Sequence, residues 1–173
     1  MTKQYKIQKS YQAIILFLSL LLTSCGAYNF TGTGEINATS FQVNYFLNNA
    51  DLVEPGIERT FTIKLQNLLQ GQTSLNLTNT NADLLYEGEI TQYRISPMTA
   101  TANQNAAQNR LYISVNVRFS NKNNPDDDFE KSFSHFYDYP ANDQLIGSTL
   151  NTALDEIFDR ITQDIFNASL AKW

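Results

Sequence analysis

The chain has 173 residues, a formal charge of −5, 42% apolar residues and one cysteine. That length suits one domain plus a processing segment and is short for two full cores. One cysteine excludes a disulfide framework or a cysteine-rich zinc module. The acidic balance argues against nucleic acid, whose phosphates need a basic surface to displace counterions.

Lys3, Lys6 and Lys9 open the chain, and no acid appears before Glu35. An apolar run follows from Ala13 to Leu22, broken only by Ser19. A helix of that length spans about 15 Å, half of a roughly 30 Å hydrocarbon core, so it is too short for a transmembrane anchor. A basic start, a short apolar core and small residues at its end describe a secretory signal. Leu22-Thr23-Ser24-Cys25 has the pattern of a lipobox, in which the Cys25 thiol is diacylated and the chain is cut between Ser24 and Cys25. Residues 1–24 are therefore expected to be a discarded signal peptide, 25–39 a lipidated N-terminus and tether, and 40–173 the folded domain. Two or three acyl chains on Cys25 would hold the protein to a membrane permanently. Gly26 follows with no acid in the next few positions, which points to the periplasmic side of the outer membrane. Cleavage removes three lysines and no acid, leaving 149 residues with a net charge of −8.

Phe41-Gln-Val43-Asn-Tyr45 alternates apolar and polar, the period of a half-buried strand. Pro55 suits the first turn of a helix, whose face Ile57, Phe61, Leu65, Leu68 and Leu69 define at helical spacing, with Gly71 expected as the C-cap. Four β segments follow without an intervening helix. Leu75–Leu77 is a short one, and Ala82–Ser96 is a long one in which Gly88 suggests a bulge. After a long polar join, Leu111, Ile113, Val115, Val117 and Phe119 alternate cleanly with polar residues. Phe129 to Asp138 repeats the pattern beyond a turn at Pro125. A second helix carries one broad apolar face from Leu145 to Phe166. The order β-α-β-β-β-β-α predicts an α+β fold: an antiparallel or mixed sheet of four to five strands with two helices packed on one face.

Catalytic signals are weak. Glu87 and Glu89 share one strand face and could act as paired glycosidic carboxylates only if a sugar platform stood beside them; a solvated acidic face is the plainer reading. Asp126-Asp127-Asp128 lacks the spacing of a calcium loop and reads as a turn. His135 is the only histidine, so no His–His metal pair can form within one chain. No G-x-S-x-G occurs. We therefore expect no enzyme, no metal and no cofactor, and a binding or assembly role instead.

Several segments in order resemble the LptE family of lipopolysaccharide-assembly outer-membrane lipoproteins, in its Bacteroidetes-type form. They are Cys25–Phe30 after the lipobox, Tyr45–Pro55, Asp83–Tyr93 with Pro97, Ala107–Leu111, and Asp128–Ser134. The likeness runs from the signal to Trp173. It implies a non-enzymatic plug and assembly partner of a large β-barrel, LptD, helping lipopolysaccharide reach the cell surface. That role places the chain in the outer membrane, on its periplasmic side or within the barrel lumen. Arg94, Arg110 and Arg118 lie near the ends of the join between the long strands and are candidates for contact with lipopolysaccharide or the partner. Ion pairing with Glu87, Glu89 or the aspartates is their competing role. Capture of a glycolipid or hydrophobic ligand, and carbohydrate chemistry at Glu87 and Glu89, are the alternative functions.

Overall fold

Three long strands carry the fold, and their alternating apolar residues explain why. The structure is a computed structural model and describes residues 36–52, 54–98 and 107–171. The signal segment, Ser24, Cys25 and the polar join at 99–106 lie outside the described residues. In chain order the elements are β1 (Ser40–Val43), β2 (Leu47–Asn48), α1 (Ile57–Gln72), β3 (Asn76–Leu77), β4 (Leu84–Met98), β5 (Gln108–Asn121), β6 (Phe129–Pro140) and α2 (Gly147–Ser169). A single 3₁₀ turn, Pro125–Asp127, joins β5 to β6.

The sheet runs β3-β1-β4-β5-β6, with β2 beside β4. The β4, β5 and β6 ladders are antiparallel, whereas β1 and β2 run parallel to β4 and β3 runs parallel to β1. The sheet is therefore mixed, as a helix between β1 and β3 requires: only a crossover returns the chain in the same direction. The sixth strand beyond the expected four to five is β2. It has only two residues, too few for a periodic signal.

Both helices pack on one face of the sheet. Leu111, Ile113, Val115 and Val117 of β5 are fully buried there, against Phe61, Leu65 and Leu69 of α1 and Ile157, Phe158, Ile161 and Ile165 of α2. An edge-to-face series ties the layers together: Phe46 to Phe61 at 4.9 Å and Phe61 to Phe158 at 5.2 Å between ring centroids. Such pairs each add about 0.5–1.5 kcal/mol beyond their buried area. The Tyr86 hydroxyl hydrogen-bonds Ser169 at 3.0 Å, pinning the last turn of α2 to β4. Burial raises the Tyr86 phenol well above its ordinary range, with the Ser169 bond opposing the shift only in part.

Four local expectations are corrected. Gly88 is not a bulge; it pairs in register with Val117, and the irregularity lies between Ile90 and Gln92. Its small size serves a close approach, since a Cβ there would stand 2.0 Å from the Asn116 carbonyl oxygen and 2.9 Å from the Phe46 ring. Gly71 does not cap α1 but lies inside it. The helix closes two residues later, where the Thr73 backbone N–H and hydroxyl both donate to the Leu69 carbonyl, at 3.1 and 2.7 Å. Pro55 precedes α1, in a turn completed by Gly56 at φ 85°. Leu145 and Ile146 likewise precede α2, and Ile146 is 63% exposed.

Candidate functional site: the open face of the sheet

Alternation on a strand sends every second side chain away from the helices. On β4, β5 and β6 those side chains are aligned by the register into rows. Glu87–Arg118–Glu130 form one row and Glu89–Asn116–Ser132 the next. Beyond the irregularity come Gln92–Ser114–Ser134, Arg94–Tyr112–Phe136 and Ser96–Arg110–Asp138. Among the described residues no helix lies over this face, and its residues are half-buried or exposed apart from Ser114.

The rows are cross-linked into two halves of different character. In the acidic half, Arg118 donates to Glu87 at 3.4 Å and to Glu89 at 3.3 Å, and stands 3.9 Å from Glu130. Asn116 donates to Glu89 and Glu130 at 3.2 and 2.8 Å, and Asn44 adds a 3.0 Å bond to Glu87. Three carboxylates thus surround one guanidinium, whose pKa is raised by the Glu87 bond first and the Glu89 charge second. In the other half, Arg110 holds Asp138 through two bonds, at 2.7 and 2.8 Å, and stacks 3.6 Å from the centre of the Phe136 ring. The Arg110 bond holds the Asp138 carboxyl below its usual range. Arg94 lies 5.2 Å from the centre of the Tyr112 ring and, among the described residues, has no carboxylate partner.

The three arginines therefore do not form one basic spot. Arg94 and Arg110 share the aromatic end. Arg118 lies six residues along β5 from Tyr112, about 20 Å away at the usual strand rise. Two of the three are bound to carboxylates. Glu87 and Glu89 are both bridged by Arg118, so neither stands as a free acid or base. His135 sits on the edge strand β6, stacked 5.3 Å from Phe136. Burial lowers its pKa first, and the neighbouring Arg160 charge adds to the effect. Asp127 and Asp128 close the β5–β6 turn by accepting bonds from Asn121. Among the described residues, no group of three or more His, Cys, Asp or Glu side chains could hold a metal ion.

Asn116, Phe136 and Asp138 belong to this site, and no sequence motif marks them. Alternation alone places them on the polar side of their strands. Only the β5–β6 register brings Asp138 to Arg110, 28 residues away.

A family model described as LptE, lipopolysaccharide-assembly, matches residues 38–169. No curated protein sequence matches the chain. Among solved structures, the fold resembles the hypothetical protein CT253 from Chlamydia trachomatis, at 10% identity and a TM-score of 0.53, over 78% of this chain and 99% of that one. It also resembles protein XCC0632 from Xanthomonas campestris, at 9% identity and a TM-score of 0.52, over 80% of this chain and 86% of that one.

Proposed function

Since the chain belongs to the LptE family of lipopolysaccharide-assembly proteins, we propose that it is an outer-membrane lipoprotein seated in the lumen of an LptD-type β-barrel. Cleavage between Ser24 and Cys25 and acylation of Cys25 anchor it on the periplasmic side. The folded domain supports assembly of the barrel and passage of lipopolysaccharide to the cell surface, without catalysis.

The observation that carries this reading is the open sheet face. A barrel lumen is polar, so a protein that fills it needs a rigid surface rich in hydrogen-bonding groups rather than an apolar patch. Four rows of Glu, Asp, Asn, Ser, Gln and Arg side chains, and a fifth in which Arg94 stands with Tyr112 and Phe136, supply that surface on a three-strand antiparallel platform. Their own cross-links hold them in place before any partner arrives, which reduces the ordering cost of binding. A wet interface, with water bridging the two polar walls, fits this chemistry.

Direct lipid contact is the lesser part of the role. The mature net charge of −8 repels phosphorylated lipid, and Arg110 and Arg118 already hold carboxylates. The test is affinity purification of the tagged full-length protein from detergent-solubilised outer membrane. A co-purifying β-barrel of LptD type is expected, and Cys25→Ala should release the protein from the membrane fraction. Clean recovery of the protein with no barrel would overturn the reading.

A further inference from the structure

On the open sheet face most charged side chains hold one another. On the helix side of β6 they do not. Lys131, Phe133 and His135 pair with Val117, Val115 and Ile113, which are fully buried beneath the helices, so all three point to that side. Across from them, Arg160, Asp164, Asn167 and Ala168 recur at helical spacing along one exposed stripe of α2. A groove separates the two rows. It consists of two adjoining clefts, about 450 Å³ beside Lys131 and about 560 Å³ beside His135, and Asp164 borders both.

Among the described residues, Lys131, His135 and Asp164 make no hydrogen bond or ion pair. Lys131 instead stands 5.2 Å from the centre of the Phe133 ring, along the groove wall. Two opposite charges thus line one cleft without meeting. Asn167 accepts a bond from Gln163 at 3.1 Å, which leaves its own amide N–H groups as donors. Burial first, and the Arg160 charge second, lower the His135 pKa, so near pH 7 the neutral ring offers a nitrogen acceptor.

We propose that this groove binds an ethanolamine-phosphate group, free or as a phospholipid headgroup, its phosphate toward Lys131 and its ammonium toward Asp164. The inference goes beyond the barrel reading and does not depend on it, because the groove lies off the open face. A simple anion would set its charge against Asp164, and a simple cation would set its charge against Lys131. A group carrying both signs satisfies the two walls together. Phosphate suits the Lys131 end, where the Ser134 hydroxyl and the Asn167 amide border the same cleft and supply further donors. The His135 nitrogen adds an acceptor for the ammonium beside Asp164.

The experiment is an NMR titration of the full-length protein in non-ionic detergent, following backbone amides, with glycerophosphoethanolamine as the probe. Saturable shifts are expected at residues 131–135 and 160–168. Glycerophosphoglycerol and ethanolamine each carry one of the two charges and should bind at least about tenfold more weakly, as the loss of one charge-assisted bond implies. Lys131→Gln and Asp164→Asn should each weaken the probe by about the same factor. Asp164→Asn should leave the weak binding of glycerophosphoglycerol unchanged. Nanodiscs of phosphatidylethanolamine separate the two sources: movement of the same amides supports a headgroup, and a response to the soluble probe alone supports the free compound. Absence of saturable shifts, or shifts outside the groove, would overturn the proposal. Equal binding of glycerophosphoglycerol would reduce the site to a general anion contact and overturn it as well. Equal binding of β-alanine, which joins an ammonium to a carboxylate through the same two-carbon link, would overturn the assignment of phosphate. None of these outcomes alters barrel recovery, so the two readings fail separately.

Discussion

The two faces of β4, β5 and β6 are built from the same three strands and obey opposite demands. Toward the helices, Leu111, Ile113, Val115 and Val117 are fully buried and tolerate only apolar shapes that fit Phe158 and its neighbours. Away from the helices, Tyr112, Ser114, Asn116 and Arg118 meet side chains of their own sheet and solvent. The first face accounts for the fold. Among the described residues the second is under no packing demand from a helix, and its ordered network of charge and amide groups is the surface on which the proposed function rests. Packing and the proposed binding surface are thereby separated by a single residue step along each strand.

Substitutions can test that separation. The largest expected loss is at Phe158→Ala, which empties the junction between Phe61 and the sheet; a truncation of this kind costs about 3–5 kcal/mol in chemical denaturation. Gly88→Ala comes next. It strikes the Asn116 backbone at a distance no side chain can relax, and overpacking of this kind costs about 1–3 kcal/mol. Its interest is that a core-facing change would be felt on the open side, through the Asn116 carbonyl. Tyr86→Phe should cost about 1 kcal/mol at neutral pH through the lost Ser169 bond. It should also alter the alkaline limb. Because the folded-state phenol is raised above its ordinary value near 10, its contribution is complete below about pH 10 and is lost as pH climbs further. Tyr93, pushed up to about 12 by burial and then by the charges of Glu54 and Tyr139, acts in the same sense. Thermal midpoints measured from pH 8 to 12 should fall less steeply for Tyr86→Phe than for the parent. The smallest effect on stability is expected at Asn116→Ala, about 0.5–1 kcal/mol, because Glu89 and Glu130, which lose its bonds, stay open to solvent and to Arg118. There the comparison is sharpest, because barrel recovery should fall about tenfold for a change that leaves folding intact. Equal recovery would show that the open face is not the contact surface.

Much of this is legible from residue order. The helical spacing of Ile57, Phe61, Leu65 and Leu69 defines one helix nearly to the residue, and the apolar alternation from Leu111 to Phe119 defines the centre of β5, which extends to Gln108 and Asn121 beyond it. Gly88 is harder, because a glycine inside a strand signals either a bulge or a close approach, and the choice depends on Phe46, forty-two residues earlier. Strand β2 is invisible because two residues cannot carry a period. The site is the least legible part. That Arg118 is charged is plain from the sequence. That it closes on Glu87, Glu89 and Glu130 together depends on two cross-strand registers, which no local pattern encodes.

The start of β1 has a mechanical consequence. Oδ2 of Asp83 accepts four bonds: from the Thr39 backbone and hydroxyl at 2.7 and 2.8 Å, and from the Ser40 backbone and hydroxyl at 3.2 and 3.3 Å. The Thr39 backbone bond is the largest of the effects that hold this carboxyl below its usual range. Upstream, Asn123 grips the Asn37 carbonyl at 2.8 Å. A pull on the chain ahead of Ile36 would thus load these charge-assisted bonds together before it reached the β1 ladder. Force arriving from the N-terminal side would be taken up by a strap at the rim of the sheet, and the buried layers behind it would feel little of the tug.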